Sequence, residues 1–317
     1  MGGVTVFAPS PIVTVTVEDR AGSPELHVHA GGQGVWQARM LTSLGIPVLL
    51  CAALGGETGR LLEKLVAVDG VELRTVTAAA RNGGYVHDRR DGAERVEIAH
   101  EQAAPLDRHE LDGLYELTLT AGLESGTVLL SGPQSASVVP ASLYRRLAHD
   151  LRANGVRVAA DLSGELLEAV LESGVDLLKV SDAELVEHDR ARSGDVDDLV
   201  QAVYELHAGG ARRVVVSRAE EPALAYDGEQ LLTVTPPPVG AADPRGAGDS
   251  QTAGMTARLA EDADWETLLR TGAACGALNV VRHGLGTGSA ATVEVLTERV
   301  VLAPLDRSSP GAPSHRR

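Results

Sequence analysis

One carboxylate in this sequence stands where a phosphate would be expected to bind. Residues 242–250 read Ala-Asp-Pro-Arg-Gly-Ala-Gly-Asp-Ser, a glycine turn, and residues 251–260 continue as a predicted helix of small residues. A helix start directs free N–H groups and the positive end of its dipole at one spot, which attracts phosphate. Asp249 would repel that phosphate unless it accepted a proton from an attacking hydroxyl. An ordinary aspartate at a helix start is the structural alternative.

A second segment repeats the arrangement of glycines at a helix start. Residues 30–45 read Ala-Gly-Gly-Gln-Gly-Val-Trp-Gln-Ala-Arg-Met-Leu-Thr-Ser-Leu-Gly. Leu41 and Leu44 share one face of the predicted helix, and Gly45 ends it. Two such helix starts in one chain favour a binding function over an isolated cap.

Together the two segments resemble the paired signatures of the pfkB carbohydrate kinases, which have the ribokinase-like fold. Residues 31–45 resemble the sugar-site motif G-G-x-G-x-N-x-A-x-x-L-x-x-L-G, and residues 243–249 resemble the active-site motif D-T-x-G-A-G-D. The resemblance continues in order through residues 54–59, 130–132, 161–165, 178–185, 274–282 and 286–288. It is greatest with the 1-phosphofructokinase and tagatose-6-phosphate kinase branch.

The resemblance implies an ATP- and Mg²⁺-dependent kinase acting on a sugar-like small molecule. Asp249 would accept the proton of the acceptor hydroxyl, and the backbone N–H groups of Gly246, Ala247 and Gly248 would form an anion hole for the transferred phosphoryl group. Glu184 would hold Mg²⁺ through water, although Ser181 replaces the asparagine of the family's N-x-x-E motif. A solvated residue in the first turn of a helix is the alternative for Glu184.

Two further positions resemble nucleotide-binding positions of the family. Ser217 ends a predicted strand, but the glycines that usually follow are replaced by residues 218–222, Arg-Ala-Glu-Glu-Pro. Asn279 matches a position near the adenine pocket, and an ordinary helix residue is the alternative reading.

The acceptor site departs most from the family pattern. Gly31, Gly32 and Gly34 are kept and would let the acceptor approach the backbone. Four other substrate-site positions differ or lie in altered segments: Thr14 for an aspartate, Gln33 for a lysine, Trp36 for an asparagine, and Ser131 in Ser-Gly-Pro-Gln instead of S-G-S-L. Arg81 lies near a position that binds substrate phosphate in phosphofructokinases. We therefore expect a less polar and less anion-seeking acceptor pocket.

Composition limits the partners. Over 317 residues the formal net charge is −16, which argues against nucleic acid and anionic membranes as partners. The sequence has no apolar run long enough to span a membrane and no signal-peptide pattern. Its two cysteines suggest no disulfide framework. We expect a cytoplasmic protein, and a homodimer formed through the small sheet described next.

The order of elements predicts an α/β fold: a doubly wound, mainly parallel sheet with helices on both faces. Buried strands are predicted at 47–51, 127–131, 156–161, 175–180 and 213–217, with helices at 140–154, 164–173 and 195–208. Segments at about 12–29 and 84–99 predict a small β lid, with a hairpin turn at Asp91-Gly92. Residues 1–306 would form a single domain, and 307–317 a disordered tail.

Other enzyme classes fit poorly. The chain has no Walker A loop, the glycine pattern at 32–37 lacks the third glycine of a dinucleotide fingerprint, and no Gly-x-Ser-x-Gly elbow surrounds Ser131. His27 and His29 give two ligands where zinc needs three or four. The remaining rival to a kinase is a non-catalytic nucleotide- or sugar-binding protein that kept the kinase fold.

Overall fold

Runs of Val, Leu and Ala form the strands of the computed structural model, which describes residues 2–67, 70–90, 96–240, 244–281 and 286–305. The strands are β1 Val4–Phe7, β2 Ile12–Arg20, β3 Ser23–Gly31, β4 Val48–Gly55, β5 Val71–Ala78, β6 Gly84–Asp88, β7 Val96–Glu101, β8 Thr127–Ser131, β9 Arg157–Asp161, β10 Leu177–Ser181, β11 Val214–Arg218, β12 Glu221–Tyr226, β13 Leu231–Thr235 and β14 Val301–Pro304. The helices are α1 Gln33–Ser43, α2 Gly56–Leu65, α3 Arg108–Ser125, α4 Ala141–Ala153, α5 Gly164–Leu171, α6 Asp182–Glu187, α7 Val196–Ala208, α8 Ala247–Ala260, α9 Trp265–Val280 and α10 Ala290–Thr297.

The main sheet has the strand order β14-β13-β12-β11-β10-β9-β8-β1-β4-β5 within the described ranges. Strands β11, β10, β9, β8, β1, β4 and β5 all run parallel to one another. Strands β12, β13 and β14 extend the sheet beyond β11 as an antiparallel edge. Side chains alternate across the sheet, so both faces need cover. Val128 and Leu130 pack in the core that includes α3, α4, α5 and α7, whereas Leu129 packs in the core that includes α1, α8 and α9. The predicted doubly wound α/β fold is confirmed.

The small sheet has the order β3-β2-β6-β7, with β2 and β6 parallel and the outer pairs antiparallel. It is built from the two segments that the sequence assigned to a β lid. Strands β2 and β3 pair continuously, from Ile12 opposite Gly31 to Arg20 opposite Ser23. The hairpin turn at Asp91-Gly92 and the tail at 307–317 lie outside the described residues.

Element ends differ from the predictions by one or two residues in most cases. Strands β9 and β10 begin later than expected, at Arg157 and Leu177, whereas β4 runs on to Gly55. Helix α3, which the sequence analysis did not predict, starts with a capping box between Asp107 and Glu110. No helix among the described residues has the length and apolar character that crossing a membrane requires. Cys51 and Cys275 are both buried and free.

Candidate active site

Helix α8 begins without a side-chain cap from the described residues. Of its first three N–H groups, only that of Ala247 has a backbone acceptor within the described ranges, the Pro244 carbonyl at 3.4 Å. Gly246 occupies the N-cap with φ +69°, a left-handed conformation that glycine adopts at low cost, and no described side chain caps the helix. The first-turn N–H groups of Ala247, Gly248 and Asp249 therefore lie at the positive end of the helix dipole. The sequence predicts an anion site at this position, and residues 242 and 243 of the motif lie outside the described ranges.

A lysine side chain reaches the same spot from the sheet. Lys179 lies in β10, and a Cβ on Gly248 would come within 2.6 Å of its Nζ. The missing side chain of Gly248 is therefore what lets the ammonium group approach the start of α8. A cation and a helix N-terminus together make a stronger phosphate site than either alone.

Lys179 is paired with a buried carboxylate at the end of the neighbouring strand. Its Nζ lies 3.3 Å from Asp161 Oδ1, and the two side chains are 8% and 2% exposed. Burial alone would lower the pKa of Lys179, but the carboxylates of Asp161, Glu184 and Asp249 outweigh it and raise that pKa. The ammonium group therefore stays charged beneath the helix start.

Asp161 also ties helix α1 to helix α8. Its Oδ2 accepts hydrogen bonds from Gln37 Nε2 at 3.0 Å and from Thr252 Oγ1 at 2.7 Å. Gln37 in turn accepts a hydrogen bond from Ser131 Oγ at the end of β8. Burial raises the pKa of Asp161, whereas Lys179 and Thr252 oppose that shift. Since all these polar groups are buried, the network fixes how the two glycine-started helices meet.

Asp249, the predicted base, lies in the first turn of α8. Burial raises its pKa to about 7, with a further contribution from the charge of Asp161, while Lys179 and a hydrogen bond from Gln33 lower it. A carboxyl with a pKa near 7 can exchange a proton at neutral pH, which suits a general base. Gln33 also accepts a hydrogen bond from Gly132 N at 2.6 Å, so the same side chain fixes the loop after β8.

Glu184 lies in the first turn of α6, where it completes a capping box with Ser181. Its Oε2 accepts hydrogen bonds from Ser181 N at 2.8 Å and Ser181 Oγ at 2.6 Å, and its own N–H donates to Ser181 Oγ. These contacts fix the carboxylate at the wall of the cavity described below. Within the described ranges, no cluster of three or more His, Cys, Asp and Glu residues could ligate a metal ion directly.

The three glycines around the start of α1 make room mainly for protein atoms. A Cβ on Gly31 would lie 2.6 Å from Thr14 Oγ1, and one on Gly34 would lie 2.5 Å from Ala8 Cβ. Gly32 has φ +102°, which favours glycine at the N-cap of α1. Gly32 and Gly34 line the cavity, whereas Gly31 does not. Tight internal packing therefore accounts for Gly31, whereas Gly34 both packs against Ala8 and lines the cavity.

A cavity of about 790 Å³ opens between the small sheet, α1 and the ends of β8 and β9. Ile12, Trp36, Tyr85 and Leu162 give it apolar walls. Gln33, whose side chain influences the pKa of Asp249, also lines the cavity, whereas Asp249 itself does not. The position of the cavity at the carboxyl ends of parallel strands is the usual ligand position in open α/β sheets.

Thr14 does not line this cavity. Its side chain is buried against Gly31, and its Oγ1 has no hydrogen-bond partner among the described residues. Ile12, two positions earlier on the same strand face, contributes to the cavity wall instead. The prediction that Thr14 would occupy the substrate-binding position placed that position two residues too late.

The two predicted nucleotide residues have different surroundings. Ser217 pairs in register with Ser181 near the carboxyl ends of β11 and β10, and a tight turn with Ala219 at φ +44° leads into β12. Asn279 is fully buried: its Nδ2 donates to the Arg245 carbonyl, and its Oδ1 accepts from Ser250 Oγ and Gly286 N. Asn279 thus holds the turn before α8 in place.

The sequence analysis gave no role to several residues that the structure brings into the site: Ile12, Gln37, Tyr85, Gln134, Asp161, Lys179 and Thr252. Two of these residues could have been recognised from the sequence. Asp161 ends a buried strand, and Lys179, one of only two lysines in the chain, interrupts another. A charged residue in such a strand needs a partner, so the pair could have been proposed.

Comparison with known proteins agrees with this geometry. The family described as pfkB family carbohydrate kinase matches residues 12–292. The ATP-dependent 6-phosphofructokinase isozyme 2 of Escherichia coli (strain K12) is 34% identical over 264 residues, which are 80% of this chain and 82% of that protein. The 1-phosphofructokinase of Rhodobacter capsulatus is 29% identical over 259 residues, 80% of this chain and 81% of the relative.

A solved structure shows the same architecture. The phosphofructokinase-2 of Escherichia coli in complex with fructose-6-phosphate superposes with a TM-score of 0.81 at 29% identity, covering 94% of this chain and 99% of that one. The ribokinase-like fold and the kinase class expected from the sequence are therefore confirmed. The chain belongs to the pfkB family of carbohydrate kinases.

Proposed function

We propose that this phosphofructokinase-like carbohydrate kinase uses ATP and Mg²⁺ to phosphorylate a hydroxyl group of a sugar-like acceptor. The observation that carries the proposal is the meeting of three groups at the start of α8. They are the uncapped N–H groups after Gly246, the buried ammonium of Lys179 and the carboxylate of Asp249. The first two suit a phosphoryl group, and the third suits the hydroxyl that attacks it.

Each residue of the site has a separate role in the proposed reaction. Gln33 orients Asp249, which accepts the proton of the acceptor hydroxyl as the new bond to phosphorus forms. The N–H groups of Gly246, Ala247 and Gly248 stabilise charge on the transferred group, with Lys179 beneath them. Ser217 and Asn279 shape the nucleotide side, Asn279 by holding the Arg245 turn. When bound, ATP supplies the phosphoryl group and Mg²⁺ neutralises part of its charge.

The donor atoms present fit a Mg²⁺ ion held through water. Ser181 engages Oε2 of Glu184, so the hydrogen bonds found within the described ranges leave Oε1 for a water molecule. Mg²⁺ keeps several of its waters in such sites and prefers oxygen partners. Glu184 would therefore position the ion without ligating it directly.

The acceptor side differs from what a phosphofructokinase would be expected to need. Ile12 and Trp36 make the wall apolar, and Ser131 is buried and bonded to Gln37. We propose that the pocket selects an acceptor with an apolar ring face, which can pack on Trp36.

Acceptor-dependent release of ADP tests the proposal. Full-length protein with ATP and Mg²⁺ is offered sugars, sugar phosphates, cyclitols and nucleosides, and the product is identified by mass spectrometry. A phosphorylated acceptor that Asp249→Asn fails to produce supports the kinase. ATP binding without transfer to any acceptor in the panel would favour the rival, a non-catalytic binding protein.

We further propose that two copies of the chain associate through the outer face of the small sheet. Leu26 and Val28 on β3, and Val96 and Ile98 on β7, are exposed by 67%, 40%, 62% and 57%. Apolar side chains this exposed on one small sheet indicate a contact surface. Light scattering should give a dimer for the wild type and a monomer for Leu26→Asp with Ile98→Asp; a monomeric wild type would contradict the proposal.

A further inference from the structure

One buried side chain holds both ends of the segment proposed to handle the phosphoryl group. Asn279, in the last turn of α9, is fully buried, and its Nδ2 donates to the Arg245 carbonyl at 2.5 Å. Its Oδ1 accepts a hydrogen bond from Ser250 Oγ at 3.2 Å. Arg245 directly precedes Gly246, and Ser250 directly follows Asp249. Asn279 therefore fixes both ends of the segment that carries the first N–H groups of α8 and the proposed base.

The same amide also holds the chain that follows α9. Its Oδ1 accepts a second hydrogen bond, from Gly286 N at 3.0 Å. Gly286 is buried with φ +65°, and a Cβ on it would lie 2.2 Å from the Trp36 carbonyl oxygen and 2.9 Å from Trp36 Cα. Gly286 therefore lies directly against the backbone of α1, at the residue whose ring lines the proposed acceptor cavity.

The chain after Gly286 fills the space between α1 and α9. A Cβ on Gly288 would lie 2.7 Å from Leu278 Cδ2 and 3.7 Å from Met40 Cε. An interior packed this closely transmits small displacements instead of absorbing them. Asn279 also cannot give up a partner cheaply, because a buried polar group without its hydrogen bond is costly. A shift of the turn before α8 should therefore move Asn279, and Gly286 with it.

Resting on the proposed kinase function, we infer that Asn279 and Gly286 couple the nucleotide site to the acceptor cavity. A nucleotide phosphate that binds the N–H groups of α8 shifts the turn that Asn279 holds, and the hydrogen bond to Gly286 passes this shift to Trp36. Packed groups and hydrogen bonds of this kind carry coupling between sites. Because such coupling is reciprocal, each ligand changes the affinity for the other by the same factor. Asn279 acts as a positioning residue for both sites.

The fluorescence of Trp36 tests this inference without an acceptor. Full-length protein is titrated with Mg²⁺ and adenylyl imidodiphosphate, an ATP analogue that is not hydrolysed. The same titration of Trp36→Phe gives the signal of Trp265, the second tryptophan of the chain. We expect the emission of Trp36 to change and to saturate together with nucleotide binding measured by calorimetry. A saturating nucleotide that leaves the emission of Trp36 unchanged would overturn the inference.

Asn279→Ser removes the amide that joins the two sites. This variant should still bind the nucleotide at higher concentrations, but Trp36 should no longer respond at saturation. Asn154→Ser, at the exposed C-cap of α4, is the matched control and should keep the response. A Trp36 response that persists in Asn279→Ser would show that the nucleotide acts on Trp36 by another route, and the role of Asn279 would be wrong.

Gly286→Ala tests the same path from the side of the cavity. The added methyl group meets the Trp36 carbonyl, so Gly286 must move and Asn279 with it. Nucleotide affinity should therefore fall by about fivefold, the lower end of the range for coupled sites. The control is Gly45→Ala, because Gly45 has φ +81° but a Cβ there would meet nothing within 4 Å. Urea denaturation compares the stability of the two variants. Equal nucleotide affinity in both would overturn the inference.

These measurements separate the inference from the proposed function. A Trp36 response that depends on Asn279, without transfer to any acceptor, would support the coupling and contradict the kinase. Phosphoryl transfer by a protein whose Trp36 does not respond to the nucleotide would keep the kinase and overturn the coupling. A protein that does not bind the nucleotide would overturn both.

Discussion

The proposed transfer centre at the start of α8 and the proposed acceptor cavity beneath the small sheet share Gln33 but differ in how their polar groups are satisfied. At the transfer centre, Asp161 has three donors and Lys179 has a carboxylate partner. In the cavity, Gln134 Oε1 has no partner within the described ranges and much of the wall is apolar.

In the proposed mechanism, this difference separates phosphoryl transfer from the choice of acceptor. Moving a phosphoryl group requires charges held in fixed positions, and a buried network supplies that rigidity. Choosing an acceptor requires only a surface complementary to it, which side-chain replacements can alter without disturbing the network. Trp36 and Gln37 are neighbours in sequence, yet Trp36 faces the cavity and Gln37 bonds Asp161.

The largest expected effect comes from breaking the buried pair of the transfer centre. Lys179→Met leaves the Asp161 carboxylate without its cation and should lower the free energy of unfolding by about 3–5 kcal/mol. Urea denaturation followed by circular dichroism measures this. The control is Lys64→Met, at the exposed second lysine of the chain.

The double variant Lys179→Met with Asp161→Leu sharpens the result. It should regain much of the stability, since no uncompensated charge remains, but it should not regain activity. A fully active double variant would show that the pair is structural only and would remove the contrast between the two regions.

Asp249→Asn tests the connection between the proposed transfer centre and the proposed acceptor cavity. Turnover should fall by at least about a hundredfold, the lower range for a positioned general base, while ATP affinity stays nearly the same. Single-turnover kinetics and nucleotide titration measure the two quantities. Asp112→Asn, at an exposed aspartate on α3, is the matched control. Normal turnover in the Asp249 variant would assign the proton to another group.

Glu184→Gln should have a smaller effect, which is confined to the dependence of the rate on Mg²⁺. Glutamine can still complete the capping box with Ser181, so the protein should fold normally. The Mg²⁺ concentration for half-maximal rate should rise by about tenfold, the lower range for residues that act on a metal indirectly. Asp182→Asn, in the same first turn, is the control. An unchanged Mg²⁺ titration would leave Glu184 with its capping role alone.

The sequence predicts the fold better than the contacts within the site. Buried strands can be recognised from short runs of apolar residues, and the alternation of strands and helices indicates the class of sheet. The glycine turn before α8 and the acidic residue within it are local too. The pairing of Asp161 with Lys179 joins strands that are neighbours only in the folded sheet, and spacing along the chain does not reveal it.

The prediction that the structure corrects most clearly is the one for Thr14, and the error is a shift of two residues along β2. Thr14 and Ile12 lie on the same face of β2, so periodicity cannot choose between them. The choice depends on Gly31, whose missing side chain admits Thr14 to the interior and leaves Ile12 at the cavity. Similarly, Asn279 matches a nucleotide-site motif, yet the hydrogen bonds that it forms with described residues join it to Arg245, Ser250 and Gly286.

The smallest expected effect is a shift in pH dependence that links the two regions through Gln33. Burial raises the pKa of Asp249 to about 7, so the fraction able to accept a proton falls as the pH falls. We expect kcat/KM for the acceptor to decrease about tenfold per pH unit below 7. The folded state also holds this proton more tightly than the unfolded chain does, so the stability contributed by Asp249 decreases as pH rises toward 7.

Gln33→Leu removes the hydrogen bond that lowers the pKa of Asp249, and the midpoint of the pH profile should therefore move to higher pH. Gln230→Leu, at an exposed glutamine, should leave the profile unchanged. Because Gln33 also holds Gly132, the variant should raise KM for the acceptor as well, but only a change in the charge of the base moves the pH midpoint. A raised KM with an unmoved midpoint would place Gln33 in the acceptor cavity alone and leave Asp249 positioned by the buried network.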